Sequence, residues 1–483
     1  MRQTKLVEAL RQMSTRERSG WRQYVHADFF NKHQALRNLC DLLLEHAPQF
    51  DHDDLGKKVL YRRIFGAVEK YNELKINNLI SDLYGLLLGF LAYLHWKSNP
   101  LDEQYHSLMA LSERNLDKQA ANVHARFHSL LQQRSDRTAA WHRDSLRYWE
   151  TGEMLHNRQP RRTAGEHLRR QAEALYRAHT LEKLQLGVAM LSRNTLAVLG
   201  PEETPQWQYH ILETQYDDVL AAELPATEVY VAAQELLRNP SQESFQDLTS
   251  GLFRHHQLLQ KDELNALYQC ALNYCIRRIN DGQPEAYADA LSLYRTLLDR
   301  GLLLQNGRLS QWTYKNIATT GLRSGEFDWT EDFLHTYRDA LLPSERDNAF
   351  AFNLATFYFE KQDFSNALRT LQNVEFTDIT YHVGAKIMQM KAFCLLGEWE
   401  ALHSLLDATE QFLRRNKSLS AFGKTTNLNF IRIVRQIQQW QERSPAVHRG
   451  KKEQERLDLI EKAASLKPLS NKDWVLKILD ELR

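Results

Sequence analysis

The sequence predicts an all-α protein, and three observations make that prediction. Across 483 residues, apolar side chains recur at helical spacing, and no stretch alternates with period two for long enough to build a sheet. Glycine and proline are scarce, at 19 and 11 residues. That is about half their usual joint share, which argues against a β-protein full of tight turns. Finally, a segment recurs between about residues 305 and 415 at the interval of one helix-turn-helix unit. The rest of the composition, 43% apolar and 25% charged with a formal charge of +1, is that of a globular chain and excludes long disorder.

Taken in order, the first legible element starts at Ser14-Thr-Arg-Glu17, a capping box ahead of Trp21, Tyr24 and Val25. Asn31, after Phe29-Phe30, is expected to cap the next helix, which carries Leu36, Leu39, Leu42 and Leu43 and stops before Pro48. Val59, Leu60, Ile64 and Phe65 mark a further helix, and a long one runs from about Asn72 to Trp96. Its most apolar run, Leu83 to Leu94, is shorter than the ~20 residues of a membrane span and reads as a buried helix. The charged N-terminus does not read as a signal peptide. Residues 1–97 are therefore expected to form an N-terminal helical domain. Longer, more charged helices follow over 98–199, with breaks near Arg134-Ser135-Asp136 and Asn157–Arg162, and are expected to pair as antiparallel hairpins. Gly200-Pro-Glu-Glu-Thr-Pro205 reads as a hinge, and 206–483 as a helical repeat array.

Within that array three segments align without gaps, 318–330, 355–367 and 390–402. Each places Gly or Gln, then an acid, then an aromatic at one point: Gly325-Glu326-Phe327, Gln362-Asp363-Phe364 and Gly397-Glu398-Trp399. Small residues (Ala318, Ala355) let the first helix of each hairpin, helix A, approach its neighbour. Phe333, Leu334 and Tyr337 in one copy, and Ala367, Leu371 and Val374 in the next, give helix B an inward face. One hairpin cannot bury such a face alone, so copies must stack.

These residues resemble the tetratricopeptide repeat family. Ala355, Tyr358, Asp363-Phe364 and Ala367 fit the pattern best, and Pro343 stands where the family often ends its second helix. Gly321 stands where the family has Tyr, while Thr330 and Leu402 stand where it has Ala. A fainter copy lies at 264–300, with Ala271, Tyr274, Ala290, Tyr294 and Leu297 around a longer connection. The chain as a whole, with Asp28–His33 near its start and Leu309-Ser310 and Asn316-Ile317 ahead of the repeats, is similar to a family of uncharacterised bacterial proteins. That similarity implies one full-length architecture and supplies no information on activity. The tetratricopeptide resemblance implies an α-solenoid that binds a protein or peptide on a concave face lined by helix A. Lys315, Asn316, Arg323 and Asn353 lie on A helices and are the expected contacts. The family's two-lysine carboxylate clamp is not reproduced.

Signatures of catalysis are absent from the sequence: no GxSxG, no GxGxxG and no HExxH occurs. Gly423-Lys424-Thr425 lacks the first glycine of a phosphate loop and reads as a helix start. His124 and His128 have the spacing of a metal-ligating pair, but with 19 histidines in the chain chance accounts for it. His255-His256 would diverge on a helix, and Cys40, Cys270, Cys275 and Cys394 form no CxxC pair and read as reduced core thiols. No cofactor, metal, membrane or enzymatic role is expected, and the location is expected to be cytoplasmic.

Charge is unevenly spread. Ten basic residues between Arg414 and Lys452 (Arg414, Arg415, Lys417, Lys424, Arg432, Arg435, Arg443, Arg449, Lys451, Lys452) face one acid, Glu442. Between Glu202 and Asp247 ten acids face Arg238 alone, and Arg158, Arg161, Arg162, Arg169 and Arg170 form a second basic cluster. The basic 414–452 stretch carries the alternative reading, a nucleic-acid-associated regulator. Pairing of the acidic and basic stretches, within one chain or between two copies, is the competing explanation of the asymmetry.

Overall fold

The computed structural model of the protein describes residues 3–66, 68–158, 165–196, 224–372, 376, 378–442 and 449–481. Among them are 22 α-helices and no strand. The predicted hinge at 200–205, the acidic residues 202–223, Arg161, Arg162, Val374 and Arg443 lie outside the described residues. Contacts divide the described chain into two compact units. One runs to Lys183 and takes in Leu224; the other begins at Leu184 and continues from Pro225.

The first unit opens with α1 (Lys5–Gln12), α2 (Thr15–His26), α3 (Gln34–Leu44), α4 (Lys57–Phe65) and α5 (Glu73–Ser98). These surround a core containing Trp21, Leu39, Phe50, Tyr61 and Leu83. The Ser14 capping box is present: Ser14 Oγ accepts from the Glu17 amide at 3.2 Å and the Glu17 carboxylate accepts from the Ser14 amide at 2.7 Å. Asn31 does not cap α3. Its amide side chain donates to Val25 O at 2.9 Å, its Oδ1 accepts from the His33 amide, and His33 precedes the helix with no side-chain cap. α5 is buried along Ile76, Leu79, Ile80, Leu83, Leu87 and Phe90 only, while Leu88 and Tyr93 are exposed. At 26 residues it is long and apolar enough to cross a membrane, because its flanks extend the dozen residues on which the sequence reading of a buried helix rested.

α6 (Pro100–Glu113), α7 (Asp117–Gln133) and α8 (Ala139–His156) pack on one another, and α9 (His167–Leu196) follows. The break at 134–136 is real and is built by charge: Arg134 bonds both Asp136 and Asp144 at 2.7 Å.

In the second unit the helices after α9 are α10 (Pro225–Arg238), α11 (Gln242–His255), α12 (Lys261–Asn280), α13 (Ala286–Asp299), α14 (Gln311–Arg323), α15 (Phe327–Thr336), α16 (Arg346–Glu360), α17 (Phe364–Gln372), α18 (Ile379–Leu396), α19 (Trp399–Arg415), α20 (Ala421–Gln441), α21 (Arg449–Ser465) and α22 (Lys472–Glu481). Sequential helices touch, and so do α14 with α16 and α16 with α18.

The three aligned segments are hairpins closed by the same main-chain device. Gly325, Gln362 and Gly397 adopt φ of 77°, 62° and 73°. The amides that follow, of Glu326, Asp363 and Glu398, donate to the carbonyls of Gly321, Tyr358 and Phe393 at 3.0, 2.9 and 3.0 Å. This is the Schellman closure, which ends a helix through a left-handed residue. The acid that follows stands at the start of helix B, where free amides favour negative charge. Bonds from Asn366 hold the Asp363 carboxyl below its ordinary range. The fainter copy uses the closure too, at Gly282 and at Gly301.

Two departures from the repeat pattern explain one another. A Cβ on Gly321 would lie 2.2 Å from Thr330 Oγ1, and Thr330, fully buried, donates that hydroxyl to Glu326 O at 2.6 Å. The threonine fills the space that the glycine leaves. Gly321→Ala is therefore expected to destabilise the protein by about 2 kcal/mol through overpacking against a stiff β-branched neighbour. Thr330→Ala should recover most of that loss. Urea unfolding of the four members of the cycle checks it, and additive costs would remove the explanation.

Candidate functional site

Helices α14, α16 and α18 are the A helices of the three hairpins, and an aromatic cluster joins them. The Trp312 ring stacks on Tyr381 with centroids 5.8 Å apart, and Tyr381 lies against Phe352 at 5.1 Å. Tyr381 donates its hydroxyl to Gln311 O at 3.4 Å. Gly384 makes the approach feasible, since a Cβ there would sit 2.8 Å from the Phe352 ring. Lys315 Nζ stands 5.4 Å from the centre of that ring, a cation–π arrangement.

Pooled over the three hairpins, the charges on these helices are one-sided, although the middle hairpin alone is reversed. The A helices carry Lys315, Arg323, Arg346, Lys386 and Lys391 against Asp347 and Glu360, whereas the B helices α15, α17 and α19 carry Arg369, Arg414 and Arg415 against Asp328, Glu331, Asp332, Glu400, Asp407 and Glu410. All three A-helix lysines, Lys315, Lys386 and Lys391, are half-buried. Burial pushes the Lys391 ammonium down to about 8, with Glu360 opposing the shift and Arg323 reinforcing it. Burial likewise lowers Lys315, with Asp378 opposing. Lys391 donates to Asn471 Oδ1 at 2.5 Å and lies over Trp474, so its partners within the chain are neutral ones.

Of the residues expected to contact a partner, Lys315 is half-buried at the cluster and Asn316 is exposed. Arg323 is exposed and paired with Glu360 at 3.5 Å. Asn353 is not available: it is 1% exposed and donates its amide to Ala349 O at 2.8 Å. The reason is the central position of α16, which touches α14, α15, α17 and α18 and has little free circumference.

The basic stretch is partly neutralised inside the fold. Arg435 pairs with Asp407 at 2.8 Å and Glu410 at 2.7 Å, and Arg414 with Glu410 at 2.6 Å. These bonds hold Glu410 below its ordinary range. The count along the sequence missed both acids because they precede its window by a helical turn or two. Arg415, Lys417 and Arg432 are exposed, Lys424 is half-buried in the first turn of α20, and Lys452 lies over the Trp440 ring. The Lys451 side chain lies outside the described residues. Gly423 is the third residue of α20, its amide capped by Ser420 Oγ, so the Gly-Lys-Thr run is a helix start.

Titratable groups also gather at a cavity of about 140 Å³ lined by His128, His142, Tyr148, Trp149, Arg170 and Arg177 among others. His124 and His128 do not chelate there. Both stack on Tyr148, and His124 Nε2 bonds to the Tyr148 carbonyl at 3.0 Å. His142 is 3% exposed with Nε2 unbonded, and burial first, then Arg177 and Arg137, push it down to about 4. All four cysteines are buried and free, and burial raises the Cys270 thiol, as expected of core thiols rather than nucleophiles. Neither a family model, nor a curated protein, nor a solved structure matches the chain.

Proposed function

We propose that the second unit is a tetratricopeptide-like helical array whose A-helix face captures an acidic peptide or protein segment. Its role is recognition without chemistry. The observation that carries this reading is the pair of half-buried lysines, Lys315 and Lys391, held beside the half-buried rings of Phe352 and Trp474 with no carboxylate bonded to either. A partly desolvated ammonium whose nearby acids do not bond it gains when an incoming carboxylate makes that bond. Trp312, 44% exposed, offers an apolar anchor beside Lys315. The adjacency of α14, α16 and α18, with the shared turn geometry, supports the stacked arrangement that such capture requires.

Fluorescence anisotropy with a labelled Asp/Glu-rich peptide tests the reading, with a Lys-rich peptide and a DNA duplex as comparisons. Binding of the acidic peptide alone is expected, weakening with salt and again as pH rises from 7 to 9, because the Lys391 ammonium loses its proton near 8. Equal affinity for both peptides would defeat the proposal. Binding of the duplex alone would turn the assignment to the 414–452 stretch.

A further inference from the structure

We propose that His46, His52 and Asp54, on the segment between α3 and α4, form a binding site for a divalent transition-metal cation of the zinc class. Their donor atoms all lie within 4.8 Å of one another. The two imidazoles stack with centroids 4.6 Å apart, and Asp54 Oδ2 lies beside them, 3.9 Å from His46 Nε2 and 3.4 Å from His52 Nδ1. A second observation is independent of that convergence. His46 Nε2 is buried and has no hydrogen-bond partner, a condition that native interiors rarely leave unexplained.

The Asp54 amide donates to His52 Nδ1 at 3.2 Å, so that nitrogen is the unprotonated one and carries a lone pair. A cation would take the lone pair in place of the amide. Bonds of about 2.0–2.2 Å to two nitrogens and one oxygen require the donors to close by about an ångström. The His52 ring can supply that movement, since its side chain is 57% exposed. The rest of the segment is fixed. Phe50 and Leu55 are buried plugs, the Phe50 amide donates to His46 O at 2.8 Å, and Arg11 bonds the carbonyls of Gln49 and Phe50 at 3.1 and 3.2 Å. Asp51 and Asp53 flank the ligands and add negative potential. Two imidazoles with one carboxylate leave a fourth position for water and select zinc-like ions over magnesium or calcium.

Titration calorimetry of the full chain with zinc chloride, repeated with cobalt(II) followed by its visible absorption, tests the site. One tight equivalent is expected, with the bands of four-coordinate cobalt, and no comparable heat from magnesium or calcium. Asp54→Asn should weaken that equivalent at least tenfold, and the His46→Ala/His52→Ala pair should remove it. The chain has 19 histidines, so the loss of that one equivalent is the readout. Should the double variant lose helical circular dichroism, His52→Ala alone, at an exposed ring, must abolish the equivalent. Absence of a tight equivalent in the parent protein, or its persistence in the folded variants, would overturn the site.

Discussion

Replacing Lys315 and Lys391 together by glutamate is expected to weaken binding of an acidic peptide by about 100-fold or more. Truncating one partner of a desolvated charge pair typically costs ~2–5 kcal/mol, and each replacement also brings a like charge to face the ligand. Neither lysine is bonded to an acid of its own chain, so the exchange breaks no internal ion pair, and helical circular dichroism should be retained. Reversing Arg415 and Lys417 instead, exposed residues at the end of α19 and just beyond, should change the affinity by less than about threefold, the scale of exposed charges. Anisotropy titrations of both double variants at one ionic strength decide the matter. Equal losses would mean that general attraction, rather than the A-helix face, carries the binding.

The second large effect concerns acid stability. His142 in the folded protein takes up its proton only at about 4, whereas in the unfolded chain it does so near 6.5. The unfolded state therefore binds more protons between those values, and stability present at neutral pH is lost as pH falls through that window, by about 3 kcal/mol at its lower end. His142→Gln, which cannot titrate, should flatten the decline. Urea midpoints measured from pH 7.5 down to about 4.5 compare the two proteins while staying above most of the carboxylate range. Parallel profiles would show that another group is responsible. Asp144 cannot be that group, because burial raises its carboxyl and its contribution has the opposite sign.

What the sequence revealed was local, and what it hid required knowledge of neighbours. The Ser14 box and the left-handed turn residues were readable because capping chemistry spans only a few positions. The turn held even at Gln362, where no glycine advertises it. Asn31 misled for the same reason: a side chain that satisfies a turn and one that starts a helix look alike in sequence. Asn353 misled because helical spacing tells which residues share a stripe, not how much of the helix its neighbours cover. The charge balance of the stretch holding Arg414 and Arg435 leaves out Asp407 and Glu410, which precede it by one or two helical turns and pair with them. His46, His52 and Asp54 gave no signal, since their six- and two-residue spacings match no helical motif. They converge through an irregular segment whose path is set by Phe50, Leu55 and Arg11.

The opposite charge bias of the A and B helices has a consequence that a formal charge of +1 conceals. A hairpin whose first helix is basic and whose second is acidic carries an electric dipole across its thickness. The first and third hairpins have that polarity, whereas the middle one, with Arg346 against Asp347 and Glu360 on α16 and Arg369 alone on α17, is reversed and offsets part of their sum. On the proposed reading, an acidic segment would be turned toward the A helices of the first and third hairpins before contact. A nearly neutral chain can in this way still present a local field, because its charges are sorted between helices rather than unequal in number.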